Sequence, residues 1–274
     1  MKRNKRRGWL VHPLFFSRCV MKKGMITLFV IYCVALQGWA DSVLILADEQ
    51  AQMSQLKSYL VEQGHTANMV DQDELPENLA PYEVLIQYLH STMKQPTAKA
   101  IMGYAEEGGR LLLLHHAIAS SRWKNPDFLQ FVGIHLDPRD HSHTPWKVLG
   151  NVTHTMVNVN PTHYITSHKM DYPKTEKYTC AGDLTVEQAF PAFDMPKTEV
   201  FLHQQFTDGY EKTVLFGVKT ADPESGQTIM QDRSGWLKRT GKGWTIYLQA
   251  GHATKDYKNP YFLQVIDNCI TWKP

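Results

Sequence analysis

Histidines follow two apolar segments of this sequence, at the points where predicted strands end. His115 and His116 come directly after the buried strand Leu111–Leu114, and His252 follows the strand Trp244–Ala250 after one glycine. In an open α/β sheet, ligands bind outside the carboxyl ends of the strands. Imidazole titrates near neutral pH and also ligates metals, so this pattern favours proton-transfer or metal chemistry at one rim of a sheet. The alternative for each histidine is a hydrogen-bonded structural residue.

A second histidine pair lies in a polar segment between these two. His141 and His143 are two residues apart, so both face the same side of an extended chain. They could join the rim histidines around a divalent ion, or they could be an exposed pair that binds metal only adventitiously.

The first half of the chain after residue 40 alternates apolar runs with amphipathic ones. The run SVLILA at Ser42–Ala47 is typical of a strand buried on both faces. The predicted strands are Ser42–Ala47, Glu83–Tyr88 and Arg110–Leu114, and the predicted helices are Gln50–Gln63, Thr97–Glu107 and Pro126–Phe131. This order predicts an α/β fold with a mostly parallel sheet flanked by helices.

The second half of the chain has a different pattern. Residues 133–166 are rich in His, Thr, Pro and Asn with weak periodicity, which predicts long loops and short strands. Two hairpins are predicted, one from Thr213–Lys219 with Thr228–Asp232 and one from Trp236–Arg239 with Trp244–Ala250. Asn259 and Pro260 begin a last helix. We therefore expect one domain over residues 41–274, with β-hairpin additions in its C-terminal half.

Residues 1–40 have the layout of a secretory signal peptide. A short basic segment begins at Met21, an apolar run of 12 residues covers Met25–Leu36, and Gly38-Trp39-Ala40 places small residues before a cleavage site at Ala40. That run is shorter than the roughly 20 residues of a membrane-spanning helix, so we expect no stable membrane anchor after cleavage. Met21 is a second candidate start. The predicted location is the periplasm or the medium.

The charge of the chain after residue 40 disfavours two classes of partner. Residues 1–40 hold eight of the 29 basic residues and none of the 27 acidic ones, which leaves 21 basic residues and a net charge of −6. A chain of that sign is a poor candidate for nucleic-acid binding, and it offers no broad basic face to anionic lipid. The hydrophobic fraction of 43% excludes a mostly disordered chain.

The cysteines and the familiar catalytic motifs suggest no nucleophile. The sequence has no G-x-S-x-G elbow, H-E-x-x-H helix, Walker loop or G-x-G-x-x-G after a strand. Cys180 and Cys269 remain after removal of the signal peptide, and neither follows a strand end beside a histidine. In an oxidising compartment the two could pair. The alternative is a buried free thiol at Cys269, which occupies a core-like position of the last helix.

Several segments together resemble the ThuA-like proteins, the trehalose-utilisation family. Gly108-Gly109-Arg110 leading into Leu114-His115-His116-Ala117 resembles that family's "GGG…GLHHA". His163-Tyr164-Ile165-Thr166 is similar to its "HPIT", with Tyr164 in place of proline. Thr175-Glu176-Lys177-Tyr178 is similar to its "DELY", with Thr175 and Lys177 replacing two residues. The ending from Gly241-Lys242-Gly243 through Leu248-Gln249-Ala250-Gly251-His252 to Ile270-Thr271-Trp272 resembles its "GKGRVFY…LGH…NP…I.W".

The resemblance implies the class I glutamine amidotransferase-like fold, a flavodoxin-like arrangement. His115 would stand near the elbow where an amidotransferase carries its nucleophilic cysteine, and His252 near the site of the catalytic histidine. Because the elbow has no thiol, glutamine hydrolysis by the usual route is excluded. The family is associated with the uptake and breakdown of disaccharides and oxidised sugars, so the implied substrate is a small molecule or oligosaccharide of that class.

Together these observations define a candidate site. The expected metal ligands are His115, His143 and His252, around a divalent ion such as zinc. Glu176 and His252 are the expected catalytic proton carriers, and His116, His141, Trp146 and Trp236 are the expected substrate-binding residues. Such a site could polarise a sugar carbonyl or activate water for hydrolysis, elimination or isomerisation. The alternative is a noncatalytic sugar-binding or accessory protein.

Overall fold

Ten strands form one large sheet in the structure, a computed structural model that describes residues 41–119, 122–136, 145–180, 187–208 and 212–274. The strands are β1 (Ser42–Ala47), β2 (Thr66–Val70), β3 (Val84–Tyr88), β4 (Arg110–Leu114), β5 (Ile134–His135), β6 (Lys147–Asn158), β7 (Lys174–Tyr178), β8 (Gln188–Leu202), β9 (Gln205–Phe206), β10 (Thr213–Ala221), β11 (Thr228–Thr240) and β12 (Gly243–Leu248). The α-helices are α1 (Gln50–Glu62), α2 (Gln95–Glu107), α3 (Pro126–Val132), α4 (Tyr164–Ser167) and α5 (Pro260–Thr271). Short β5 and β9 pair separately.

The large sheet has a parallel half and a slightly larger antiparallel half. Its strand order is β2-β1-β3-β4-β12-β11-β10-β6-β8-β7. The ladders from β2 to β12 are parallel, and the ladders from β12 to β7 are antiparallel. The expectation of a mostly parallel sheet was therefore wrong, although the α/β class and the C-terminal hairpins are confirmed. The antiparallel half is larger because β6, β7 and β8 extend the two predicted hairpins.

Helices cover both faces of the parallel half, and the alternation of side chains decides which face each residue enters. Val43 and Ile45 of β1 pack with α1 and α5 in one core, whereas Leu44 and Leu46 pack with α2 and α3 in the other. All four side chains are completely buried. A strand enclosed in this way reads as a continuous apolar run, which explains why the sequence identified β1 within its observed bounds.

The middle of the chain was predicted wrongly. Residues 147–158 were expected to be loop and short strand, yet they form β6, and β8 runs for 15 residues. The register of the β6–β8 ladder shifts on both sides of Val152, and Asn151 has a positive φ of 54°. These bulges interrupt the alternation of apolar and polar residues, so period-2 patterning does not reveal the strand.

The last helix begins where the sequence predicted. The side chain of Asn259 accepts hydrogen bonds from the backbone N–H groups of Tyr261 and Phe262 at 3.0 and 3.3 Å, and Pro260 is the first helical residue. Cys269 is a free thiol at a completely buried position of this helix, so it does not pair with Cys180. Among the described residues, no helix is long and apolar enough to cross a membrane.

Candidate functional site

The carboxyl ends of β4 and β12 bring the two predicted histidine positions together. These strands are parallel neighbours, with Leu114 opposite Leu248. The chain leaves both strands at the same rim, and the ring centroids of His115 and His252 lie 5.1 Å apart. The predicted convergence of the two imidazoles is thus present in the structure.

A backbone carbonyl group that follows β12 fixes the orientation of the His115 ring. Its Nδ1 lies 2.6 Å from the carbonyl oxygen of Gln249, an atom that can only accept a hydrogen bond, so Nδ1 carries a proton. In the neutral ring, Nε2 therefore presents a lone pair. His115 is completely buried, and its φ of +37° is rarely adopted by a residue with a side chain. Strained backbone of this kind is concentrated at functional sites.

Three donor atoms converge at the rim. His115 Nε2 lies 3.1 Å from Glu199 Oε2 and 3.2 Å from His252 Nδ1, and the last two atoms are 3.4 Å apart. We call these three residues the rim triad. Lone pairs of two imidazoles and a carboxylate repel one another unless a proton or a metal ion lies between them. The triad could therefore share protons among its three members or hold a metal ion.

The long strand β8 carries Glu199 to the rim. The hydroxyl of Thr198 donates a 2.6 Å hydrogen bond to Asp256, and Asp256 accepts another from the backbone N–H of Ala253, one residue beyond His252. The ring of Phe201 stacks on His115 at a centroid distance of 4.4 Å. These contacts join the end of β8 to both histidine segments, so the antiparallel half of the sheet supplies the carboxylate.

His116 lies beside the rim triad as a neutral ring. Ligand atoms of His116 and of the triad all fall within 4.8 Å of one another. Burial, together with repulsion from the neighbouring histidines when these are protonated, lowers the pKa of His116 to about 2. Its Nδ1 is buried and has no hydrogen-bond partner among the described residues. His116 can therefore offer a lone pair or a hydrogen bond without adding charge.

The three side chains of the rim triad differ in their exposure to solvent. The side chain of His115 is fully buried, whereas those of Glu199 and His252 are 21% and 38% exposed. Burial opposes ionisation of Glu199, but the contact with His115, which can donate a hydrogen bond and carry a positive charge when protonated, outweighs it and lowers the pKa of this carboxyl. Burial also lowers the pKa of His252.

Two of the predicted site residues lie elsewhere. The carboxylate of Glu176 is on edge strand β7 and pairs with Lys219 at 2.8 Å and Lys174 at 3.2 Å, so it does not belong to the histidine cluster. Trp236 is completely buried against Phe206 and Tyr247, so its ring cannot stack on a sugar. The structure therefore brings neither Glu176 nor Trp236, both expected at the site, into the rim triad. Periodicity does not distinguish a core tryptophan from an exposed one.

Of the other predicted residues, the structure describes Trp146 but not the loop histidines. Trp146 is partly buried, and its ring meets Phe201 edge-on at 5.6 Å, one ring away from His115. His141 and His143 lie outside the described residues.

Sequence reasoning missed three residues near this rim. Glu199 gave no signal, because it lies in a strand that was not predicted. Glu49 and His90 follow β1 and β3, so the rule that identified His115 and His252 could also have found them. His90 Nδ1 lies 3.2 Å from Glu49 Oε1, and both residues group with His116 as possible cation ligands.

A large cleft at the opposite edge of the sheet is a weaker candidate. Its volume is about 1030 Å³, and Arg110, Trp244 and Lys273 are among its lining residues. Lys273 is paired with Asp41 and Glu83, and the buried guanidinium of Arg110 donates to the last carbonyl groups of α5. These charged groups are occupied in holding the fold together, so we place the chemistry at the rim triad.

His154 of β6 gives a test of how the core responds to acid. It is completely buried, and burial, together with repulsion from His115 when that ring is protonated, lowers the pKa of His154 to about 3. An unfolded histidine titrates near pH 6.5, so the unfolded chain binds more protons between these values. The stability that the neutral ring contributes is present above pH 6.5 and is lost as the pH falls toward 3, by up to about 1.4 kcal/mol per pH unit. Urea titrations from pH 7 to pH 4.5 should show a shallower pH dependence for His154→Leu than for the wild type. Equal slopes would contradict a buried neutral His154.

Comparison with known proteins identifies the family of this fold. The model of the ThuA family, described as trehalose utilisation, matches residues 43–273. The search of curated proteins gave no match.

Solved structures agree with that match. A ThuA-like protein from Parabacteroides merdae is 13% identical with a TM-score of 0.61, and the alignment covers 86% of this chain and 93% of that one. A ThuA-like protein from Bacteroides uniformis is 16% identical with a TM-score of 0.56, over 86% and 92% of the two chains. A cytoplasmic protein from Salmonella typhimurium is 12% identical with a TM-score of 0.52, over 83% and 97%. At these identities, the likeness establishes a shared fold.

Proposed function

Because the chain belongs to the ThuA family of trehalose-utilisation proteins, we propose that it is an exported, metal-assisted enzyme that acts on glycosides or oxidised sugars. The family has the glutamine amidotransferase-like fold, and membership supports a role in sugar metabolism. The substrate class in this proposal comes from the family, and the chemistry comes from the rim triad.

The spacing of the rim triad is the observation that carries the proposal. Zinc bound at 2.0–2.2 Å by nitrogen and oxygen ligands in a tetrahedron separates those ligands by about 3.3–3.6 Å. The three separations between His115 Nε2, His252 Nδ1 and Glu199 Oε2 are 3.1, 3.2 and 3.4 Å. Two imidazoles and one carboxylate suit a borderline ion such as zinc and leave a fourth position open, as in catalytic zinc sites.

An ion at this position would supply a Lewis acid next to a partly exposed edge. It would polarise a carbonyl or hydroxyl oxygen of the sugar. The backbone carbonyl oxygen of Gln249 holds His115 in the tautomer that presents Nε2. His116 borders the triad and Trp146 lies one ring away from it, against Phe201, and we propose that both contact the sugar. The roles predicted for His141 and His143 stay predictions.

Elemental analysis of the purified full chain tests the proposal. We expect one tightly held divalent ion per wild-type chain and its loss in both His115→Ala and His252→Ala, because each variant removes one of three ligands. Turnover of a panel of glycosides and keto-glycosides should fall with the metal content. Glu176→Ala is the matched control, since that carboxylate pairs with two lysines away from the triad and should affect neither quantity.

Two outcomes would contradict the enzyme proposal. If neither histidine variant changed the metal content or the product formed, the triad would not be a metal centre. If the wild type held no metal and turned nothing over, yet bound glycans equally well in both variants, the chain would be a noncatalytic sugar-binding protein.

The export part of the proposal rests on residues 1–40 alone. N-terminal sequencing of protein from the periplasm or medium should begin at Asp41. An intact N-terminus on cytoplasmic protein would contradict export.

A further inference from the structure

Glu49 and His90 form a second polar pair beside the rim triad. Glu49 follows β1 and His90 follows β3, so both lie at the same edge of the sheet as the triad. His90 Nδ1 is 3.2 Å from Glu49 Oε1, and the two side chains are 53% and 30% exposed. Unlike the buried His115, this imidazole is accessible to solvent and to a substrate.

The segment that carries His90 is held on both sides. The carboxylate of Asp48 accepts hydrogen bonds from the backbone N–H groups of His90 at 2.9 Å and Ser91 at 2.6 Å. The buried guanidinium of Arg122 donates to the carbonyl oxygens of Leu89 and Ser91. It also donates to Ala117, which follows His116. The loop after β3 is therefore fixed to the loop after β4.

The ring of His90 lies flat on His116. Their centroids are 4.3 Å apart and their planes differ by 13°. The ring of His116 in turn lies 4.4 Å from His115 and 5.3 Å from His252. The solvent-accessible ring of His90 is thus separated from the proposed metal position by one ring, that of His116.

We infer that Glu49 and His90 are the proton-transfer pair of the proposed site. The Glu49 carboxylate accepts the Nδ1–H of His90, which leaves the lone pair on Nε2. His90 Nε2 would then take a proton from a hydroxyl of water or sugar bound beside the rim triad: the O–H bond breaks, its electron pair stays on oxygen, and an N–H bond forms. In hydrolysis, the deprotonated water oxygen forms a bond to the anomeric carbon, the bond from that carbon to the leaving oxygen breaks, and the proton on His90 passes to the leaving oxygen. The inference rests on the proposed function, and it replaces Glu176 by His90 as the proton carrier.

The tautomer of His90 tests the pair without any substrate. Free neutral imidazole of histidine favours the proton on Nε2, so a proton on Nδ1 requires an acceptor such as Glu49. We expect ¹⁵N NMR of the full chain to place the proton of neutral His90 on Nδ1, with the signal assigned by its disappearance in His90→Gln. In Glu49→Leu, the proton should move to Nε2. A wild-type His90 protonated on Nε2 would overturn the inference.

Turnover and metal content test the catalytic role. With the glycoside and keto-glycoside panel, we expect His90→Gln to lose about 10²–10⁴-fold in rate while keeping the wild-type metal content. His168→Gln is the matched control, because His168 stacks on Tyr164 with a similar geometry, 4.4 Å and 14°, away from the triad. Its rate should equal that of the wild type.

The outcomes separate this inference from the proposed function. Wild-type turnover that survives in His90→Gln would overturn the proton-transfer role and leave the metal site standing. Loss of a bound ion in His90→Gln would make Glu49, His90 and His116 a ligand set, which also overturns it. A wild type with neither metal nor turnover would overturn the proposed function itself, and with it the catalytic role of the pair.

Discussion

Glu199→Gln is expected to weaken zinc binding by on the order of 100-fold or more. The change keeps the size of the side chain but removes the only negative charge of the rim triad, 3.1 Å from His115 Nε2. Loss of a group that merely orients a ligand typically costs 10–100-fold in metal affinity, and loss of a ligand should cost at least as much. Competition against a fluorescent zinc chelator at pH 7.5 would measure the change.

Glu176→Gln is the control, since the sequence pointed to that carboxylate and the structure pairs it with Lys174 and Lys219. Its zinc affinity should match the wild type. If Glu176→Gln lost zinc and Glu199→Gln retained it, the assignment of the carboxylate would be reversed.

Gly251→Ala is expected to destabilise the fold by about 3 kcal/mol and to reduce metal binding. Gly251 has a φ of +108°, and a methyl group there would lie 2.5 Å from the hydroxyl oxygen of Tyr257. The backbone strain costs about 1–2 kcal/mol and the overlap about 1–3 kcal/mol. Tyr257 donates a hydrogen bond to the carbonyl oxygen of Gly251, so relief of the overlap displaces the residue that precedes His252. Urea denaturation and metal analysis of the same preparation would measure both effects.

Gly64→Ala is the control that measures the cost of backbone strain without the steric overlap. Gly64 has a similar φ of +93°, but no atom lies within 4 Å of the position that a methyl group would occupy. This variant should lose only about 1–2 kcal/mol and keep its metal. Equal destabilisation of the two variants would show that the contact with Tyr257 has no effect.

The sequence located the rim but only part of the site. His115 and His252 could be placed together because each follows an apolar strand, and parallel strands end at one edge of a sheet. The same rule applies to Glu49 and His90, although neither follows its strand as directly as His115 follows β4.

Two of the residues that the sequence singled out do not lie in the rim triad. Glu176 was chosen for its similarity to a short family motif, yet two lysines neutralise its carboxylate in the fold. Trp236 was chosen because it begins a predicted strand, yet β11 runs without interruption from Thr228 and buries that ring. In both cases the deciding partners come from other strands.

The sequence by itself determined the elements whose environment is uniform along their length. Strands β1 and β4 are buried on both faces and α5 has a capped start, so local patterning was enough to define them. Only the tertiary structure decided that Glu199 completes the triad, because β8 reaches the rim through pairing with β6 and through the hydrogen bond from Thr198 to Asp256. Such contacts join residues that are far apart in the chain, and no local periodicity encodes which distant strand will supply the charge that a buried imidazole requires.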